Sequence, residues 1–403
     1  MKSVLERFLS YVRFDTRSDE TTGRHPSTEG QLELARFLAR ELSETGLSDV
    51  TLTEKGYVYA ALPPAPGFEN APVVGFIAHL DTSDAVSGRN VRPRVVEKWD
   101  GSPVELGDSG IVLEPEARLA GHDLVVTDGT TLLGADDKGG IAVIMTALEE
   151  IVSKNLPHGG IRIAFTPDEE IGQGADFFDV PFFGAEYACT VDAGSENEIE
   201  YENFNAASAV VAFKGVSIHP GYAFGVMVNA LKTAMEFDAL LPAAEVPERT
   251  RGREGFFHLV GCSGTPEEAE LRYIIRDHDA ERFEERKRIL IDIRDRLNRR
   301  YGAERVSVEL RDQYRNMIEV MKAHPFLVET VRAAMLEAGI EPVSPPIRGG
   351  TDGARLCFMG LPCPNIGYGG YNAHSRSEYA DVQGMEKAVL VLLGIVSRFA
   401  RAR

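Results

Sequence analysis

Five short segments of this 403-residue chain carry side chains of the kind that build hydrolytic metal sites. They are His79-Leu80-Asp81, Gly134-Ala135-Asp136-Asp137-Lys138-Gly139, Asp168-Glu169-Glu170, Val191-Asp192-Ala193-Gly194 and Asn372-Ala373-His374. Imidazole nitrogen and carboxylate oxygen are zinc ligands, and catalytic zinc sites keep one position open for water. Two histidines and three carboxylates can hold two metals if one carboxylate bridges. Two such ions, about 3.5–4 Å apart, activate a shared water and clamp the reacting oxygen. A further carboxylate must accept the water's proton, and the adjacent Glu169 and Glu170 can divide the tasks of ligand and base. Asp81 is placed to fix the tautomer of His79. Each segment also has a plain structural reading. His79 and Asp81 can be a surface pair. Asp136-Asp137 and Asp168-Glu169-Glu170 can be acids at helix starts. Asp192 can be a turn residue before Gly194, and His374 a solvated loop histidine. Only as a set of five does the pattern favour a site.

The elements that must position these segments alternate between strands and helices in the first half of the chain. That is the pattern of an α/β fold, a mixed sheet with helices on both faces. Thr28-Glu29-Gly30-Gln31 fits a capping box opening a helix that stops near Gly46. Strands are expected at 50–53, 57–62 and 73–78, a helix over 138–154, and strands at 160–165 and 187–191. Four of the five polar segments fall at the ends of such strands or in the following turn, where open α/β sheets bind ligands. The fifth lies in a longer loop. From about Ser208 the pattern changes to strand 209–213, helix 227–241, strands 256–262 and 271–276, charged helix 280–300 and strand 306–311. This β-α-β-β-α-β order is the ferredoxin-like split unit. A helix over 325–338, a short strand at 364–367 and a last helix over 385–400 resume the α/β pattern. The expected organisation is a discontinuous catalytic domain, 1–207 plus 319–403, with an inserted α+β domain at 208–318.

Composition narrows the class. With 43 Lys and Arg against 62 Asp and Glu, the net charge is −19, so nucleic acid and anionic membranes are unfavourable partners. Glu6 and Arg7 interrupt any signal-peptide core, and Val4, Leu5, Phe8, Leu9 and Val12 instead share one helical face. The longest apolar run, Ala388–Val396, is far short of the roughly 20 residues of a membrane span. The four cysteines, Cys189, Cys262, Cys357 and Cys363, form no C-x-x-C pair and are expected to be buried, reduced thiols of a cytoplasmic protein.

On these segments the chain resembles the co-catalytic dizinc exopeptidase family of aminopeptidases and carboxypeptidases. That family also holds aminoacylases, carnosinase-type dipeptidases and succinyl-diaminopimelate desuccinylase. The likeness is greatest to its aminotripeptidases and covers nearly the whole chain. It includes Pro26-Ser27-Thr28-Glu29-Gly30-Gln31, Thr131-Leu132-Leu133-Gly134-Ala135, Glu202-Asn203-Phe204-Asn205-Ala206-Ala207-Ser208, Pro346-Ile347-Arg348-Gly349-Gly350-Thr351-Asp352-Gly353 and Gly369-Gly370-Tyr371-Asn372.

The resemblance implies an aminotripeptidase with two Zn2+ per subunit, Co2+ or Mn2+ being alternatives. By the same likeness, His79 and Asp192 bind one metal and Glu170 and His374 the other. Asp136 bridges them through a residue whose peptide bond to Asp137 is cis. Glu169 is the implied general base, and Asp81 orients His79. The inserted domain corresponds to a lid and homodimerisation module. In it, His219 stabilises the oxyanion and Arg276 grips the peptide carboxylate. Gly350 and Thr351 add backbone donors and Asn229 a polar contact, while Arg348 reads as a loop salt bridge. The implied partner is a short peptide. Departures at Ala193–Glu198, Tyr222–Phe224 and Ser375–Glu378 bear on fine substrate preference. Two other readings stay open: a sister activity of the same family, and a binding protein that keeps the fold without the chemistry. The intact set of His79, Asp81, Asp136, Glu169, Glu170, Asp192 and His374 speaks against the second.

Overall fold

The computed structural model describes residues 1–402 as a mixed α/β protein. Two compact units are present: Met1–Tyr201 with Glu319–Pro345 and Thr351 onward, and Glu202–Ile318 with Pro346–Gly350. The second unit begins six residues before Ser208, the expected start of the insertion, which falls inside a strand.

The first unit is built on a seven-stranded sheet. In chain order its strands are β1 (Ser48–Leu52), β2 (Val58–Leu62), β3 (Val74–His79), β4 (Ile161–Thr166), β5 (Tyr187–Ala193) and β6 (Ile199–Glu200), with β11 (Asn365–Gly367) from the C-terminal part. The spatial order is β1-β2-β4-β3-β5-β11-β6. The four middle strands β4, β3, β5 and β11 are parallel, and their flanking partners antiparallel. β3 reads as a nearly continuous apolar run, and β4 as one broken at Arg162, because both faces are covered. Their register places His79 opposite Thr166, so the segments that follow leave the sheet at one edge.

Helices α1 (Val4–Tyr11), α2 (Glu29–Thr45), α3 (Ala135–Ser153), α6 (Pro325–Glu337), α7 (Asp352–Phe358) and α8 (Val382–Arg401) belong to this unit. Most of α3 is buried, which its Ile141–Met145 run allows. Gly140 lets it press on β5, since a Cβ there would collide with the Val191 carbonyl oxygen and the Asp137 carboxylate. At the N-cap of α2 the expected capping box does not form. The Thr28 hydroxyl donates to Arg17 O at 2.8 Å, and Gln31 turns inward to Asp168 at 2.7 Å. A buried carboxylate outcompetes the cap's own backbone groups for the amide.

The stretch between β3 and α3 forms short strands at Arg94–Val96, Val104–Glu105, Val112–Leu113 and Leu124–Val126. The first and last of these complete a second sheet with the hairpin Gly370–Tyr371/Tyr379–Asp381, over a small core of Trp99, Leu106, Leu119 and Tyr379. His374 therefore sits in a hairpin loop.

The second unit is an antiparallel sheet, β8-β9-β7-β10, of strands β7 (Asn205–Lys214), β8 (Phe256–Gly264), β9 (Glu268–Asp277) and β10 (Val306–Tyr314). Helices α4 (Ala230–Ala239) and α5 (Ala280–Tyr301) pack on it around Phe213, Phe237, Tyr273 and Leu290. Cys189, Cys357 and Cys363 are buried, but Cys262 is exposed, because it lies on the edge strand β8. Among the described residues, no helix is long and apolar enough to cross a membrane.

The Gly140 contact yields a test. Gly140→Ala must push α3 off β5, and overpacking of that kind costs about 2–3 kcal/mol. Urea denaturation should show that loss, whereas Gly349→Ala, at an open loop position without a left-handed backbone, should lose far less.

Candidate metal centre

His79 ends β3, Asp136 opens α3, Glu170 follows β4, Asp192 lies in β5 and His374 in the hairpin loop. The structure brings these five together. Asp136 lies between the two imidazoles: its Oδ1 is 2.8 Å from His79 Nε2 and its Oδ2 3.1 Å from His374 Nε2. Each imidazole faces one more carboxylate, His79 with Asp192 Oδ1 at 3.3 Å and His374 with Glu170 Oε2 at 2.8 Å. Two ligand triads result, His79-Asp136-Asp192 and Asp136-Glu170-His374, each with donor atoms within 4.8 Å of one another. Asp136 is common to both, and its peptide bond to Asp137 is cis.

The donors fit divalent cations. They are nitrogen and oxygen only, and the carboxylates outnumber the imidazoles. Among the described residues, the Glu170 Oε1 atom is buried without a hydrogen-bond partner, which fits an oxygen that would ligate a cation.

Around the triads, other groups hold the ligand segments. Asp81 is fully buried. Its carboxylate accepts the N–H groups of Glu169 and Glu170 at 3.0 and 3.1 Å, and its backbone oxygen lies 3.1 Å from His79 Nδ1. Asp137 accepts His79 N–H at 3.1 Å. Glu378, four residues beyond His374, accepts from Leu133 N at 2.7 Å, Gly134 N at 2.8 Å and Asp136 N at 3.1 Å. Lys138 is buried with its ammonium on Phe14 O at 2.8 Å. Sequence reasoning singled out neither Glu378, Lys138 nor Asp352. Their burial was the missing signal, and it is a tertiary property.

Electrostatics mark the place as short of positive charge. Burial, then the charge of Asp136, pushes Glu170 up to about 7. Burial also raises Asp352 and Glu378 to about 7. Burial and the charge of Asp192 hold Glu169 well above the usual carboxylate range. Burial opposes ionisation of Asp136, yet hydrogen bonds to His374 and His79 outweigh it and keep that carboxyl low. Hydrogen bonds to Asp136 and Glu170 lift His374 to about 11.

The remaining residues singled out from the sequence are placed as follows. Thr351 caps α7, accepting from Ala354 N at 3.2 Å. In the second unit, His219 is exposed and its Nδ1 accepts from Gly221 N at 3.2 Å. Asn229 Oδ1 caps α4, accepting from Lys232 N at 3.2 Å. Arg276 donates to Ile275 O at 2.9 Å and lies 5.2 Å from the Tyr314 ring centroid. Gly350 packs so closely on Tyr314 that a Cβ would strike the ring. Among the described residues, Arg348 makes no loop salt bridge. Its guanidinium donates to Gly252 O at 2.7 Å and to Thr250 Oγ1 at 3.0 Å, over Phe204 and Phe256, because its neighbours there are carbonyl and hydroxyl oxygens.

Comparison with known proteins adds an independent line. The profile of peptidase family M20/M25/M40 matches residues 117–398. A peptidase T of Clostridium perfringens is 52% identical over 406 residues, covering 99% of this chain and all of its own. Among solved structures, an aminopeptidase PepT from Bacillus cereus superposes with a TM-score of 0.80 at 21% identity, over 99% of this chain and 98% of that one. A tripeptidase from Staphylococcus aureus gives 0.75 at 19% identity, over 99% and 98%.

The raised carboxyls predict how the metal-free protein responds to pH. Glu170, Asp352 and Glu378 keep protons that the unfolded chain releases from about pH 4 upward. Their contribution to stability is full below that pH and is lost as pH rises through about 7. His374, raised instead by its partners, contributes fully below pH 6.5 and loses that contribution up to about 11, in the same direction. Chelator-treated protein should therefore unfold at lower urea at pH 8 than at pH 5.5, and a divalent cation should narrow the gap.

Proposed function

The chain belongs to peptidase family M20/M25/M40, and from that premise we propose that it removes the N-terminal residue from tripeptides by metal-assisted hydrolysis of the first peptide bond. The chemistry rests on one observation above all: a single carboxylate, Asp136, held between two imidazoles that each have a second carboxylate. The chain's identity to a peptidase T selects the tripeptide reaction among the family's activities.

In this reading His79 and Asp192 hold one divalent ion, Glu170 and His374 the other, and Asp136 both. Zinc is the proposed metal, two per subunit, with Co2+ or Mn2+ as substitutes. Bound, the pair supplies Lewis-acid polarisation of the scissile carbonyl and a lowered pKa for the attacking water. Glu169 takes the proton from that water and returns it to the leaving amine nitrogen. Asp81 keeps the His79 ring and the Glu169-Glu170 backbone in register. Arg276 receives the tripeptide's C-terminal carboxylate, His219 stabilises the oxyanion, and the backbone at Gly350 and Thr351 assists, with Asn229 a further polar contact. A carboxylate grip at a set distance from the scissile carbonyl would select three residues over two. The second unit is proposed as the lid and homodimer interface, and the protein as cytoplasmic.

Glu169→Gln keeps the shape and removes the base. Steady-state kinetics should show kcat reduced about 10²–10⁴-fold with KM nearly unchanged. Chelated enzyme should regain cleavage of a free tripeptide with zinc and leave the matched dipeptide and N-acetylated tripeptide intact. Cleavage of either control would move the assignment to a sister activity. Arg276→Ala should raise KM strongly and relax the length preference, and unchanged tripeptide kinetics would remove the arginine from the site.

A further inference from the structure

The motif Pro26-Ser27-Thr28-Glu29-Gly30-Gln31 has no part in the chemistry above, yet it packs on the residue that precedes the base. Asp168 follows β4 and is 0% exposed. Its Oδ1 accepts Ser27 Oγ at 2.5 Å and Gln31 Nε2 at 2.7 Å. Its Oδ2 accepts Ser27 N at 2.7 Å and lies 3.3 Å from His25 Nδ1. Gln31 Oε1 in turn accepts the Asp168 N–H at 3.0 Å. One amide thus grips both the carboxylate and the backbone of Asp168.

That grip has something to hold. Asp168 has φ of +60°, the left-handed region that costs a non-glycine residue about 1 kcal/mol or more and persists where its surroundings enforce it. The left-handed step turns the chain at the end of β4 so that the next two N–H groups, of Glu169 and Glu170, reach the Asp81 carboxylate. The pair is therefore held on two sides, by Asp81 on its own amides and by the motif on the residue before it.

We propose that Gln31, supported by Ser27, is a positioning residue that aims Glu169 and Glu170 through Asp168. The proposal rests on the assignment of Glu169 as base. The Gln31 amide does both at once, its Nε2 donating to the carboxylate and its Oε1 accepting the backbone N–H. A carboxylate at position 31 keeps the acceptor and loses the donor. A misplacement of about 1 Å at a catalytic group costs on the order of 10²-fold.

The test is an amide–carboxylate exchange across the pair. Q31E, D168N, the double variant Q31E/D168N and E169Q are compared by kcat and KM per folded, metal-loaded enzyme, with metal content and Tm measured alongside. Q31E sets two carboxylates against each other, and D168N sets two amide donors against each other. The double variant restores one donor facing one acceptor, while the carboxylate at position 31 still accepts the N–H of residue 168. Expected are roughly 10- to 100-fold losses of kcat in each single variant with KM within about threefold, and recovery to within about threefold of wild type in the double variant. A role confined to folding would lower Tm and leave kcat per folded enzyme unchanged, and that result in Q31E would overturn the proposal. So would a double variant as slow as the singles. If Q31E does not fold, S27A is judged by the same kcat criterion. An inactive E169Q beside a fully active Q31E rejects the clamp alone, whereas an active E169Q rejects the base assignment on which the clamp depends.

Discussion

Like charges held together in a poorly solvated place repel, and each carboxylate taken out of water needs a partner to remain ionised. The first unit gathers Asp81, Asp136, Asp137, Glu170, Asp192 and Glu378 around the two imidazoles, several of them wholly buried. Most of what surrounds the centre answers that concentration of negative charge. His79 and His374 share Asp136. Lys138 brings a buried ammonium close by, its own pKa depressed by burial to about 8. The deficit that remains is what divalent cations neutralise, so the site's electrostatics and its chemistry have one origin.

The carboxylates divide into two roles by what they accept. Those of Asp136, Asp192 and Glu170 face imidazoles and complete the two triads that could hold a metal ion. Those of Asp81, Asp137, Glu378 and Asp168 accept backbone N–H groups: Asp81, Asp137 and Glu378 tie down the segments of Glu169, His79 and Asp136, and Asp168 is itself held by the segment of Ser27. Glu378 joins the His374 hairpin to the Asp136 turn, so two segments distant in the chain are bonded to each other. Loops that carry chemistry need this rigid support, because a ligand set misplaced by an ångström binds metal poorly and aligns water badly.

Much of this was legible beforehand, and the limits are instructive. The parallel strands β3, β4 and β5 were readable as apolar runs ending in polar segments, which is where such sheets bind ligands. The short strands between Arg94 and Val126 were not, since two or three residues leave too brief a pattern to register. Local spacing places Gln31 in a helix cap, whereas its side chain reaches Asp168, 137 residues away. Nothing local marks Glu378 or Lys138 as buried, because an acid or a lysine is ordinarily solvated.

The sequence by itself determined the kinds of ligand, the order in which they occur and the strand ends that bear them. These follow from side-chain chemistry and from periodicity within a few residues. The tertiary structure alone decided that Asp136 lies between the two histidines, that Asp168 is gripped by Gln31, and that Glu378 ties the hairpin to α3. Those contacts join residues more than fifty positions apart, and burial, which governs both hydrogen-bond strength and charge, exists only once the chain has closed on itself.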